Sequence, residues 1–73
     1  MDYIDRLTAL REDNDKDQKE IAILLNCQQS AISKYEKKIR KYKVEDITKL
    51  CLYYGVSADY ILGLPKGLKH PER

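Results

Sequence analysis

The chain has 73 residues, of which 42% are hydrophobic and 36% are charged. A chain this short forms one domain with a single small core, which excludes a doubly wound sheet or a barrel around an enclosed site. Three glycines and two prolines are too few for the many turns of an all-β sandwich. The composition therefore favours a soluble, helical domain.

The positive charge is concentrated in one short segment. The whole sequence carries 14 basic and 12 acidic side chains, a net charge of +2. Residues 1–20 have a net charge of −3, whereas residues 21–43 carry six basic groups and one acidic group. The run from Lys34 to Lys43 fits either a polyanionic partner or a solvated basic face.

Cysteine content and hydropathy bear on the compartment. The chain has two cysteines, Cys27 and Cys51, which is fewer than a secreted domain held by disulfides usually carries. We therefore expect a reducing compartment. We also expect both cysteines to fill space in the core. No apolar run is long enough to span a membrane, and the acidic N-terminus lacks the pattern of a signal peptide. These features predict a cytoplasmic protein with no membrane partner.

The first third of the chain predicts two short helices. Asp2 can cap the first helix, whose apolar residues recur at three-residue spacing. These residues are Ile4, Leu7 and Leu10. Asp17, with Glu20 three residues later, forms the capping-box pattern that begins the second helix, and Asn26 can end it in the left-handed conformation. The inward positions of the second helix are Ile21, Ala22, Leu24 and Leu25.

Three more helices are predicted after a three-residue turn. The third covers residues 28–36, with Ala31, Ile32 and Tyr35 facing inward. The fourth has the strongest apolar stripe in the chain, which consists of Val44, Ile47, Leu50, Cys51 and Tyr54. Gly55 stops it with a positive φ, and Ser57 caps a fifth helix that Gly63 ends.

The domain boundary and the burial of the aromatic residues are also predicted. Five helices place the domain in residues 1–64, and residues 65–73, with two prolines, form a tail. The tyrosines expected on core faces are Tyr35, Tyr54 and Tyr60. Those expected to be partly exposed are Tyr3, Tyr42 and Tyr53. Within the basic run, Ile39 and Tyr42 are nevertheless expected to find some apolar cover.

The informative unit is the helix, turn and helix across Gln18–Glu36. A tight turn makes two short helices cross steeply and projects the second one outward, in a form that fits the DNA major groove. The exposed polar positions of that second helix are Gln28, Gln29, Ser30, Ser33 and Lys34. Glutamine can pair bidentately with adenine, and serine can reach bases or phosphates.

The joint spacing of several motifs closely resembles the phage-repressor-type helix-turn-helix family, also called the xenobiotic response element (XRE) family. The matching segments are Arg6-Leu7…Leu10-Arg11, Gln18…Ile21-Ala22…Leu25, Gln29-Ser30…Ile32-Ser33-Lys34-Tyr35-Glu36, Arg40, Leu50 and Gly55-Val56-Ser57-Ala58-Asp59-Tyr60-Ile61-Leu62-Gly63. The resemblance covers Ile4 to Leu64. It implies an all-α, lambda repressor-like domain of five short helices with a central helix-turn-helix.

The resemblance also implies roles for individual residues. Gln18 would contact a DNA phosphate, with the N-terminus of the second helix behind it. The positions that reach base edges are Gln29, Ser30 and Lys34, and those facing the backbone or flanking bases are Gln28 and Ser33. Arg11 and Glu36 would form a partly buried ion pair. We expect the basic run after the third helix to grip phosphates through Lys37, Lys38, Arg40, Lys41 and Lys43.

The sequence departs from the family pattern after the third helix. Lys37 and Lys38 replace the usual Asn-Gly, so either the helix runs on for another turn or Lys38 adopts a left-handed conformation at a cost. Tyr42 replaces the usual proline, which predicts a less rigid loop.

No set of residues typical of catalysis or metal binding is present. His70 lies in the tail, and the two cysteines lack zinc-site spacing. We therefore expect no enzyme activity, cofactor or metal.

The sequence predicts a sequence-specific DNA-binding transcriptional regulator, a repressor that binds operator DNA as a homodimer. The two-fold contact is expected to involve Tyr53, Ile61, Leu62 and Leu64. The alternative is an antitoxin or other interaction module on the same fold, whose partner is a toxin or an anti-repressor protein.

Overall fold

Five α-helices account for the regular secondary structure of residues 1–72, which are the residues that the computed structural model describes. They are α1 (Tyr3–Asp13), α2 (Gln18–Leu25), α3 (Gln29–Glu36), α4 (Val44–Tyr54) and α5 (Ala58–Leu62). The all-α fold class predicted from the sequence is confirmed. Residues 65–72 of the predicted tail contain no helix, and Arg73 lies outside the described residues.

Short polar side chains begin three of the helices. The Asp2 carboxylate accepts a hydrogen bond from the Asp5 N–H at 2.9 Å, and the Asp5 carboxylate accepts one from the Asp2 N–H at 3.3 Å. Asp17 caps α2 by accepting from the Glu20 N–H at 2.8 Å, and Ser57 caps α5 in the same way. The three predicted caps are confirmed. The capping box expected at Asp17 and Glu20 forms only its first half in residues 1–72, whereas Asp2 and Asp5 form the reciprocal box.

Three helices end on a residue in the left-handed conformation, as predicted. Asn26 ends α2 with φ of 55°, Gly55 ends α4 with φ of 67°, and Gly63 ends α5 with φ of 72°. A Cβ atom at Gly63 would also collide with the guanidinium of Arg6. That guanidinium is the far end of a flexible side chain and can move aside, so it is the positive φ that favours glycine there.

Helix α3 ends in a Schellman motif with lysine at the position that usually holds glycine. Lys38 has φ of 64°. The Ile39 N–H donates to the Lys34 carbonyl at 2.9 Å, and the Lys38 N–H donates to the Tyr35 carbonyl at 3.0 Å, which are the two bonds that define the motif. Of the two alternatives, the left-handed lysine is therefore correct.

The side chain of Lys38 ties the end of α3 to the start of α1. Its Nζ lies 3.0 Å from Oδ2 of Asp2 and 3.1 Å from Oδ1 of Asp5. These carboxylates raise the pKa of the Lys38 ammonium. The Asp5 N–H and the Lys38 ammonium lower the pKa of the Asp2 carboxyl. The ion pairs offset part of the strain of the left-handed lysine.

The core lies where α1, α2 and α3 meet α4 and α5. Helix α1 packs against α3 and α5, α2 packs against α3 and α4, and α4 packs against α5. The buried side chains are Ile4, Leu7, Ile21, Ala22, Leu25, Ile32, Tyr35, Tyr42, Leu50 and Ile61. Cys27 and Cys51 pack against this cluster as free thiols, and burial raises the pKa of both.

The predicted stripes of α1 and α2 are confirmed, whereas that of α4 is wrong at its first position. Val44 is 76% exposed. It is the first residue of α4, and the apolar face of the helix meets the core only from Ile47 onward.

A stack of tyrosines anchors the basic run, which the sequence did not indicate. The Tyr42 ring is buried and stacks on Tyr35 with ring centroids 4.4 Å apart, and Tyr3 packs edge-on against it at 6.5 Å. The apolar cover expected for Tyr42 is therefore confirmed, whereas its partial exposure is wrong. The core position expected for Tyr60 is also wrong, because Tyr60 is 55% exposed. The apolar cover expected for Ile39 is also wrong, because its side chain is 71% exposed.

Replacing Lys38 with glycine tests the strain at the end of α3. Glycine adopts positive φ without cost, and exposed ion pairs contribute little to stability. Lys38→Gly should therefore raise the melting temperature, by about 4–8 °C for each kcal/mol gained. Lys37 has φ of −82°, so the control Lys37→Gly should lower it. A lower melting temperature for Lys38→Gly would mean that the ion pairs outweigh the strain.

The buried phenols predict a loss of stability in alkaline solution. Desolvation raises the pKa of Tyr42 above its usual 10.0 and that of Tyr54 to about 12. Because the phenols ionise more readily in the unfolded chain, their full contribution to the free energy of unfolding is present below pH 10. As pH rises above 10, the free energy of unfolding falls by up to about 1.4 kcal/mol per pH unit for each phenol. Urea unfolding from pH 8 to pH 11 should show a shallower decline for Tyr42→Phe. An unchanged decline would exclude Tyr42 as a source.

Candidate nucleic-acid interface

The turn between α2 and α3 is three residues long, as predicted. Asn26 reverses the chain in the left-handed conformation, and the Cys27 N–H donates to the Ala22 carbonyl at 2.9 Å. Gln28 is the N-cap of α3 rather than its first residue, and its side chain makes no capping hydrogen bond. The turn therefore brings α2 and α3 into direct contact without using the polar side chain at the start of α3.

Helix α3 has one buried face and one free polar face. Ile32 is fully buried, and Tyr35 is 5% exposed. The predicted DNA-reading side chains all lie on the outward side, with Ser33 partly covered and the others exposed. They are Gln28, Gln29, Ser30, Ser33 and Lys34. None of the five side chains has a hydrogen bond or an ion pair within residues 1–72, so this face is available to a ligand.

The Glu36 carboxylate joins three helices at the end of α3. Arg11 of α1 donates from Nε to Oε2 at 2.7 Å and from Nη2 to Oε1 at 2.9 Å. Gln18 of α2 donates from Nε2 to Oε1 at 2.9 Å. The expected ion pair is therefore present, and it is bidentate, which fixes orientation as well as distance.

Arg11 also holds the loop between α1 and α2. Its Nη1 donates to the Lys16 carbonyl at 2.9 Å, and the hydrogen bond with Glu36 raises the pKa of the guanidinium. The Arg11 and Glu36 side chains are 16% and 11% exposed. Charged groups this well covered depend on having a partner.

The side chain of Gln18 has a second role besides the one implied by the family. It occupies the first position of α2 and is partly buried against Glu36. A primary amide has two N–H donors, so one remains for a phosphate. The capping carboxylate of Asp17 and the first-turn Glu20 lie at the same helix end, where they oppose the attraction between the helix terminus and an anion.

The basic run, residues 37–43, supplies four cations that have no acidic partner within residues 1–72. Lys37, Arg40, Lys41 and Lys43 are exposed and form no ion pair within the described part of the chain. Lys38 differs from them because Asp2 and Asp5 offset its charge. The structure thus separates one structural lysine from four free cations next to α3.

Besides the bonds from Gln18 to Glu36 and from Arg11 to Lys16, the contacts of Asp2 and Asp5 were missed in the sequence. The Asp2–Asp5 capping box could have been found from its spacing. The ion pairs of Lys38 with these two residues join positions more than 30 apart in the chain, and no local pattern encodes them.

Comparison with known proteins assigns the family. A helix-turn-helix family model (HTH_3) matches residues 7–61. The chain belongs to the phage-repressor type of helix-turn-helix proteins. This membership indicates a DNA-binding domain.

The fold is shared with a solved structure. The chain is similar to a transcriptional regulator from Listeria innocua, with a TM-score of 0.80 and 23% identity. The match covers 94% of this helix-turn-helix chain and 64% of that chain, so this chain spans less than two thirds of the neighbour's length. No curated protein matches the sequence. Among the described residues, no helix is both long and apolar enough to cross a membrane.

Removing the negative charge of Glu36 should destabilise the domain. Glu36→Gln leaves the guanidinium of Arg11 covered without a counter-charge, which should lower the free energy of unfolding by about 1–3 kcal/mol. The control Glu20→Gln breaks an exposed contact with Lys16 at 3.7 Å and should change little. Urea unfolding measures both variants. Equal effects would mean that the bidentate pair adds nothing beyond surface electrostatics.

Proposed function

We propose that this helix-turn-helix protein is a sequence-specific transcriptional repressor that binds operator DNA through α3. One observation carries the proposal: five polar side chains that have no partner within residues 1–72 lie on the outer side of α3, whose inner residues Ile32 and Tyr35 are buried. A helix held in this way can enter the major groove without rearranging. The similarity to the Listeria protein, which is a transcriptional regulator, supports a role in regulation.

Base reading and phosphate binding are assigned to different segments. Gln29, Ser30 and Lys34 read base edges, while Gln28 and Ser33 contact the backbone or flanking bases. The free N–H of Gln18 donates to a phosphate. The basic run grips the backbone through Lys37, Arg40, Lys41 and Lys43. Lys38 is not assigned to DNA, because two carboxylates already hold its ammonium.

The repressor would bind as a homodimer, since one small domain reads too few base pairs to select a site. Two-fold pairing would place the α3 helices about 34 Å apart, one turn of DNA. Tyr53, Leu62 and Leu64 are 42–45% exposed and remain candidates for the contact. The prediction that Ile61 takes part in this contact is wrong, because Ile61 is fully buried in the core.

A protein-interaction role, as an antitoxin or similar module, is the second candidate. Leu52 and Ile23 are 80% and 72% exposed, and operator binding gives neither of them a role. Such a module would bind its protein partner whether or not α3 is altered.

Alanine substitutions should separate base reading from grip. Gln29→Ala should weaken binding to the cognate operator by about 1–3 kcal/mol and affect random DNA little, because a base-edge contact is lost. Lys41→Ala should weaken both complexes alike. The operator is obtained by selection from random duplexes, and affinities are measured by fluorescence anisotropy. Equal losses on both DNAs for Gln29→Ala would place base reading elsewhere.

The salt dependence of binding should report the basic run. Four phosphate contacts per subunit give eight per dimer, so log K should fall with log salt at a slope of about −7. Arg40→Ala should flatten that slope by about 1.8, since it removes two contacts per dimer. A titration of operator at several salt concentrations tests both values. A slope shallower than about −3 would mean that the run faces away from the duplex.

A further inference from the structure

Ile39 is an apolar side chain held in a fixed position with nothing to cover it. Its N–H is bonded to the Lys34 carbonyl at 2.9 Å, and the Arg40 N–H reaches the same carbonyl at 3.3 Å. The preceding Lys38 is fixed by its ion pairs with α1. The isoleucine is nevertheless 71% exposed. Hydrogen bonds therefore fix the backbone of Ile39, while most of its side chain stays in contact with water.

This exposure departs from the usual Schellman motif. The residue at the position of Ile39 normally packs against an apolar side chain in the last turns of the helix. In α3 the two corresponding residues are Ser33 and Lys34, which are polar and face outward. A single exposed isoleucine is unremarkable on most surfaces. Here it stands at the end of the recognition helix, between the free cations Lys37 and Arg40.

We infer that Ile39 packs against a deoxyribose of the DNA backbone when α3 occupies the major groove. The inference rests on the proposed function. Cations on both sides of Ile39 would bind successive phosphates, and the group between two phosphates of one strand is a sugar with an apolar C–H surface. The contact adds affinity without reading sequence, and it releases no counterion.

A serine substitution tests this contact against a matched control. Ile39→Ser should weaken binding about threefold to tenfold on both the selected operator and a random duplex of equal length. The salt slope should stay at the wild-type value, because no phosphate contact is lost. Ile23→Ser makes the same chemical change at 72% exposure, about 140° around α2 from Gln18, and should leave affinity unchanged.

Each outcome decides between the inference and the proposed function. Wild-type affinity for Ile39→Ser overturns the inference alone, and so does a loss accompanied by a flatter slope, which would mean a distorted loop. Equal affinity of the wild-type protein for the selected operator and the random duplex overturns the proposed function itself. The melting temperatures of Ile39→Ser and Ile23→Ser should equal the wild-type value. A change in affinity then reflects the interface with DNA and not a loss of folding.

Discussion

The carboxylate of Glu36 is the point on which the orientation of α3 depends. It lies in the last turn of the helix, where the macrodipole disfavours a negative charge. Its position is stabilised by Arg11 from α1 and Gln18 from α2, through three hydrogen bonds of 2.7–2.9 Å. The buried face of α3 fixes how deeply the helix sits in the domain. The Glu36 network fixes its rotation relative to α1 and α2, and thereby which side chains face outward.

The segment after α3 is held by unusual means for its family. It lacks the expected glycine at Lys38 and the expected proline at Tyr42. Burial of the Tyr42 ring against Tyr35 replaces the rigidity of a proline, and ion pairs with α1 accompany the strained lysine. Both interactions hold the backbone of this segment against the domain. The remaining cations can therefore face outward on an ordered backbone. A basic surface preorganised in this way binds phosphates at a smaller entropic cost.

The helices, their caps and the outward face of α3 could be predicted from the sequence because they follow from local rules. Caps depend on residues three apart, and helix faces depend on a period of 3.6 residues. The Arg11–Glu36 pair was reached through family resemblance. The burial of Tyr42, the exposure of Ile39 and the partners of Lys38 could not be predicted, because they depend on which distant side chain occupies a shared space. Ile61 was misassigned to the surface because α5 is too short to show a clear period.

The most direct test of the central claim is an NMR titration of the ¹⁵N-labelled protein with its selected operator. We expect a slowly exchanging Arg11 Nε–H signal, since that proton is bonded to a covered carboxylate. This signal should persist unchanged when DNA is added. The largest shifts should appear in residues 28–34 and in the side-chain amides of Gln18 and Gln29. Shifts confined to α4 and α5, with α3 unaffected, would contradict the account.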